Sequence, residues 1–323
     1  MYTDEQIKQA EQIDIIDYCT QNGIEFEEES QNYFRMVEHN SCVVNRKKNM
    51  FYWNSRGENG NVISFLRKYE GLGFKEAVAK LLNEEYEKSS NVEYVHEPYD
   101  YNSSNEVDHI DHVLEYLTQE RKIDPELVKD LNEKGFIKQD KRKNVLFLWK
   151  DYERTMGCTE QGTIKIDTNK RGSWKSIQKN STTGYGFNVK YGEPKNLKFF
   201  ESPIDLLSYA TLNKNKLKDT HLVSIEGTKE SILLSYLMKT VKELGDAPDS
   251  VAICVDNDNA GDRLMERLKH VPINKNDGSI YDITPERPTI AGCKDWNDQL
   301  KVVVSNRDEQ LRRRRYYQNT LER

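Results

Sequence analysis

Leu197-Lys-Phe-Phe-Glu-Ser-Pro-Ile-Asp-Leu206 and, later, Ser250-Val-Ala-Ile-Cys-Val-Asp-Asn-Asp-Asn-Ala-Gly-Asp262 each begin as an apolar run and stop abruptly at an acid. Short apolar runs bounded in this way predict buried parallel strands, and acids at their carboxyl ends lie where open α/β sheets bind ligands. Glu201 ends the first run; Asp256 and Asp258 end the second at strand spacing. Two carboxylates so placed face one cavity only if something positive relieves their repulsion, and a hard divalent cation meets that need.

Glu201, the Gly227-Thr228 turn and the Asp256-Asn-Asp-Asn-Ala-Gly261 run, in this order and spacing, resemble the Toprim domain of bacterial DnaG-type primases, topoisomerases and certain nucleases. Within that group, Cys293-Lys-Asp-Trp-Asn-Asp-Gln-Leu300 resembles the later Lys-Asp-x-Asn-Asp element of the primases. The resemblance implies an α/β domain, a mostly parallel sheet flanked by helices, in which Asp256 and Asp258 hold Mg²⁺ or Mn²⁺. Glu201 sits opposite as metal ligand or general base, and Asp295, with Asp298 beside it, extends the acidic set. Gly227 and Thr228 turn a strand into its helix, where free backbone N–H groups meet a phosphate; Lys229 and Lys294 are the neighbouring cations. Where the primases usually have Glu-Gly, this chain has Glu201-Ser202-Pro203. Proline suits the first turn of the following helix, while the loss of glycine's left-handed freedom is expected to alter the turn.

Upstream, Val113-Leu-Glu-Tyr-Leu-Thr-Gln-Glu-Arg-Lys-Ile-Asp-Pro-Glu-Leu127 predicts two helices around a turn at Asp124-Pro125, and Asn144-Val-Leu-Phe-Leu-Trp149 and Gly162-Thr-Ile-Lys-Ile166 predict strands. That plan resembles the amino-terminal part of the primase polymerase domain. Positive charge gathers here although the formal net charge of the chain is -6, a local footprint for phosphates. Lys141, Arg142, Lys143, Arg171 and Lys175 are the candidate contacts to single-stranded DNA, and Trp149, Trp174, Tyr185 and Phe187 are expected to stack on its bases.

At the amino terminus, the helix-pair sequence from Gly60 to Leu82 resembles the close of the primase zinc-ribbon domain, and Met50-Phe-Tyr-Trp-Asn-Ser-Arg-Gly-Glu-Asn-Gly60 its hairpin. In the family that hairpin carries Cys-x-x-Cys facing an earlier Cys-x-x-His. Trp53 and Arg56 stand at the hairpin positions, leaving His39 and Cys42 where a structural zinc needs four ligands. No zinc is expected; Trp53, with Phe51 and Tyr52, is expected to fill the gap as an apolar plug.

The expected organisation is a degenerate ribbon over 1–88, a polar linker over 89–106, a basic α+β subdomain over 107–190, the Toprim domain over 191–304 and a charged tail over 305–323 centred on Arg312-Arg-Arg-Arg315. The five cysteines are odd in number and scattered, reading as reduced core residues. No apolar run reaches membrane length and no signal sequence opens the chain, so a cytoplasmic protein without membrane partners is expected. Three functions compete. The modules together favour a compact DnaG-like primase, making short RNA from NTPs on single-stranded DNA, perhaps with the architecture of a mobile element and with a replicative helicase or relaxase as candidate partner. A Toprim nuclease would use the same acids. The lost zinc ligands and Ser202-Pro203 suggest a noncatalytic single-strand-binding accessory protein.

Overall fold

The chain divides into two units, Met1–His96 and Glu97–Arg323. The computed structural model describes residues 2–30, 32–54, 56–83, 99–165, 173–227, 229–268, 273–281 and 283–321, with the backbone alone for 280–281 and 316–321.

In the first unit, helices Asp4–Glu11 and Ile15–Gln21 lead into five antiparallel strands paired in chain order, Phe26–Ser30, Tyr33–Met36, Cys42–Asn45, Met50–Trp53 and Glu58–Gly60. Helices Val62–Tyr69 and Phe74–Asn83 follow. Sequence reading expected one opening helix, from Ile13 to Asn22. The structure adds Asp4–Glu11, closed on itself by a reciprocal cap in which Thr3 and Gln6 exchange side-chain and backbone hydrogen bonds. Asp14 then accepts from the backbone N–H groups of Ile16 and Asp17 and starts the second helix. Strand alternation turns Phe51 and Trp53 inward, where they join Tyr18, Met36, Phe65 and Leu66 in one core.

The second unit opens with Tyr99 and Tyr101, which pack on Leu146, Leu148 and Cys158. The polar stretch expected as a linker is therefore tied down at its carboxyl side, where Tyr99 also donates to Gln178; two aromatic faces outweigh the polarity around them. Next come helix Asp111–Glu115, a π-turn over Tyr116–Glu120, helix Pro125–Glu133 and an antiparallel sheet of Ile137–Gln139, Val145–Asp151, Arg154–Gln161 and Lys175–Ile177.

A second sheet has the order Asn188–Tyr191, Thr220–Ser224, Asn196–Phe200, Ser250–Ile253, Thr284–Pro285. The first strand is antiparallel to its neighbour and the other pairings are parallel. This sheet begins a few residues before the expected boundary at 191, because Asn188–Tyr191 pairs with Thr220–Ser224. Leu197 and Phe199 face one core with Val223, Val251 and Ile253; Phe200 faces the other, with Phe147, Phe187 and Trp296, which fastens the sheet to the basic subdomain. Helices Pro203–Leu212, Glu230–Leu244 and Asn259–Leu268 intervene between the strands, and a final helix, Trp296–Leu321, takes in most of the expected tail. Among the described residues, no helix is long and apolar enough to cross a membrane.

Candidate active site at the carboxyl ends of the parallel strands

Glu201 and Asp256 follow directly on two adjacent parallel strands, and Glu201 Oε1 accepts from the backbone N–H of Asp256 at 3.2 Å. Ser202 is extended, with φ −144°, and caps the next helix by accepting from Asp205 N. The turn thus needs no glycine: a hydroxyl cap and Pro203 in the first helical turn replace the Glu-Gly geometry. Asp258 accepts from the N–H groups of Ala260 and Gly261, starting helix Asn259–Leu268. Gly261 is required by close approach, since a Cβ there would lie 2.4 Å from the Asp256 carbonyl oxygen.

Asn257, between the two acids, turns the other way. Its amide donates to the carbonyls of Pro288 and Cys293, and its N–H to that of Lys294 at 2.7 Å. These bonds hold the Lys294-Asp-Trp-Asn-Asp298 element against the strand end. Within that element Trp296 is buried, donating its indole N–H to Cys254 O at 3.0 Å. Asn297 is also buried and donates to Arg121 O and Ser208 Oγ. With those two anchored inward, the Lys294 ammonium lies 3.5 Å from Asp256 Oδ2 and 3.1 Å from Asp258 Oδ2.

Burial pushes the Asp256 carboxyl up to about 7, with Glu201 and Asp295 adding to the shift. Burial likewise raises Glu201. Asp258 goes down: burial opposes, but the Gly261 N–H, the Lys294 ammonium and the Ala260 N–H prevail. Among the described residues, no three His, Cys, Asp or Glu side chains form a ready metal cage. Glu201 is engaged with the Asp256 backbone, Asp295 caps the last helix through Asp298 N, and Lys294 neutralises the remaining pair. The donor set nevertheless fits a hard cation. It is all oxygen, and Asp256 Oδ1 is buried without a hydrogen-bond partner.

Beside these acids is a pocket of about 190 Å³ whose walls include Arg121, Gln161, Lys175, Ser202, Asp205 and Asp295. Three of its governing residues escaped sequence reading. Asp205, one helical turn beyond Glu201, is 6% exposed with Oδ1 unpartnered; burial, then Asp295 and Asp256, raise its carboxyl. Its spacing from Glu201 was the available signal. Arg121 is brought in by Asn297, which accepts from its guanidinium. Glu226 is buried at φ 51°, accepts from Ser224 Oγ and stands 3.9 Å from Lys175 Nζ.

The remaining candidates divide. The row Gln139, Val145, Gln161, Lys175 runs across the basic sheet, so Lys175 and the exposed turn of Lys141, Arg142 and Lys143 share one end of it. Gly227, at φ 97°, donates its N–H to Glu201 O, linking that turn to the acidic strand end. Lys229 is partly buried before helix Glu230–Leu244, and burial lowers its ammonium. Arg171 and Thr228 lie outside the described residues. The aromatic expectation is corrected. Trp149 and Phe187 are core, and Tyr185 packs under Lys239 with its hydroxyl on Asp151, leaving Trp174 as the exposed one of the four. The run from Val145 to Trp149 is a central strand buried on both faces, which removes its rings from solvent.

In the amino-terminal unit, Trp53 is 2% exposed and pairs across strands with Cys42. The His39 ring lies 5.0 Å from it, and the Arg56 guanidinium 3.7 Å over its face.

Three family models match in sequence: a CHC2 zinc finger over residues 2–97, a protein of unknown function (DUF3991) over 115–194 and a Toprim-like domain over 199–300. An uncharacterised Bacillus anthracis protein is 53% identical over 328 residues, 98% of this chain and 95% of its own length. Among solved structures, the zinc-binding and RNA polymerase domains of the Aquifex aeolicus primase align over 97% of this chain and 85% of that one, at 18% identity and a TM-score of 0.33. The primase fragment of the bacteriophage T7 primase-helicase aligns over 85% and 93%, at 10% identity and 0.40. With a CHC2-type module ahead of a Toprim-like module in one chain, and the relative matching almost end to end, the protein belongs to the DnaG-type primase family.

Proposed function

We propose that this chain is a DNA-directed RNA primase, joining ribonucleotides on single-stranded DNA at the Toprim strand ends. One observation carries the reading: buried carboxylates with unpartnered oxygens, on Asp205 and Asp256, adjoin a pocket that also holds Arg121 and Lys175. Acids alone would serve any metal-dependent phosphoryl chemistry. Acids beside fixed cations suit a nucleoside triphosphate, whose charge must be neutralised on both the reacting and the leaving phosphates.

In the reaction, a 3′-hydroxyl oxygen bonds to the α-phosphorus, the bond to the β-phosphate oxygen breaks, pyrophosphate leaves and the hydroxyl proton passes to a base. Mg²⁺ or Mn²⁺ held by Asp256 and Asp258, with Glu201 behind them, would stabilise the negative charge of that exchange. Lys175 and Arg121 bind phosphate oxygens, with Glu226 keeping the Lys175 ammonium aimed into the pocket. Lys294 has the same ability once released from the acids. The raised carboxyl of Glu201 suits it to accept the proton. The turn of Lys141, Arg142 and Lys143, at the Lys175 end of the basic sheet, tracks the template backbone.

The test is incubation with single-stranded DNA, labelled NTPs and Mg²⁺ or Mn²⁺. New oligoribonucleotides from the wild type, and none from Asp256→Asn, are expected. Shortened DNA without RNA would transfer the same acids to a nuclease, and binding with neither product would make the chain an accessory protein.

A further inference from the structure

The last helix, Trp296–Leu321, has 26 residues and so runs about 39 Å. Only its start is packed: Trp296, Asn297 and Leu300 are buried and Val304 rests on the core, whereas every residue over 305–315 is exposed. That exposed stretch holds Arg307, Arg312, Arg313, Arg314 and Arg315 against two acids, Asp308 and Glu309. It lacks an apolar stripe, Leu311 being its one large hydrophobic side chain. A solvated helix of this length is ordinarily held by opposite charges one turn apart. Here Glu309 pairs with Arg313, while four successive arginines crowd like charge into a single turn. Such a turn is unfavourable in isolation and favourable against a polyanion.

Helical geometry selects the polyanion. Successive residues step by about 100° around the axis, so Arg312, Arg313, Arg314 and Arg315 point to all sides of the rod. A single strand lies along one side and meets one or two of them. Phosphates flank a helix on both sides in the major groove of duplex DNA, about 12 Å wide against a helix diameter of about 10–12 Å. The corresponding groove of duplex RNA is too narrow. We propose that the arginine-ringed half of this helix is a second nucleic-acid site, which seats in the major groove of duplex DNA and is separate from the pocket where synthesis is placed.

The test compares the full chain with the R312Q/R313Q/R314Q/R315Q variant by fluorescence anisotropy on a DNA duplex, its single strand and an RNA duplex over a salt series. Glutamine keeps helix propensity, and a matching circular dichroism spectrum verifies the fold. On duplex DNA the slope of log affinity against log salt should fall by about 3, at about 0.9 per lost phosphate contact. On the single strand it should fall by about 1 or less, and the RNA duplex should respond no more than the single strand. The fourfold Arg→Lys variant should recover the duplex slope. An unchanged duplex slope, equal losses on duplex and single strand, or a wild type that ignores duplex DNA would overturn the proposal; the last result would leave the arginines to an acidic protein or to solvent. Duplex binding should survive Asp256→Asn and the variant should still make RNA on short single strands, so failure here and failure of the synthetic reading are read separately.

Discussion

The two places where the family resemblance would put metal ions have diverged in opposite directions within one chain. In the amino-terminal sheet, Trp53 and Arg56 stand where the hairpin ligands would be, with His39 against the indole face and Cys42 across the strand pair. At the Toprim strand ends the acids remain, crowded enough to hold Asp256 near neutrality. A structural metal contributes cross-linking, which buried aromatic area can replace. A catalytic metal contributes charge beside a reacting phosphate, which no apolar side chain supplies. The first kind of site can therefore be overwritten while the fold persists, and the second cannot without loss of the chemistry.

The largest effect expected from this contrast is at the plug. Trp53→Ala should destabilise the amino-terminal unit by about 3–5 kcal/mol, the scale for deleting a buried aromatic. Chemical denaturation would show it, and a variant that unfolds with the wild type would remove Trp53 from that role. The same reading expects no stoichiometric zinc in the purified protein, so one zinc per chain by elemental analysis would break the comparison.

At the acidic end the response should depend on pH. The Asp256 carboxyl titrates near 7 in the fold and near 4 when unfolded, so its charged form is penalised in the native state. Metal-free stability from this group is highest below about pH 4 and falls as pH rises through 7. Asp256→Asn removes the penalty, so its gain in Tm over wild type in EDTA should be largest near pH 8 and shrink toward pH 4. A gain that grows on acidification would contradict the burial of this group.

A smaller effect is expected from Lys294, whose ammonium is half exposed between Asp256 and Asp258. Pairs so open to water contribute about 1 kcal/mol or less. Lys294→Met should lower the metal-free Tm slightly and tighten Mn²⁺ binding by up to about fivefold, since the lysine competes for the same oxygens. Weaker Mn²⁺ binding would make it a supporter of the metal instead.

Much of the acidic site was legible because strand ends punctuate sequence: apolar runs stopping at Glu201 and Asp256 have few other readings. The Lys294-Asp-Trp-Asn-Asp298 element was legible as a unit, though not the division of labour that buries Trp296 and Asn297 to present its charges. Asp205 was hidden because an acid in the first helical turn reads as a dipole partner; only the tertiary fold buries it. Arg121 and Glu226 were hidden because Asn297 and Lys175, which give them meaning, are remote in sequence. Trp149 and Phe187 misled for a related reason, since whether a ring stacks on a base or fills a core depends on a second layer that local pattern does not reveal. Thr3 and Gln6 carried a readable cap for the first helix, but its polar sequence offers little apolar period.

Mn²⁺ binding, followed by calorimetry or electron paramagnetic resonance, tests the central contrast most directly. The wild type should bind Mn²⁺, Asp256→Asn and Asp258→Asn should each lose that binding, and His39→Ala and Cys42→Ser should keep it. Undiminished binding in both aspartate variants, or its loss in either amino-terminal variant, would contradict the account.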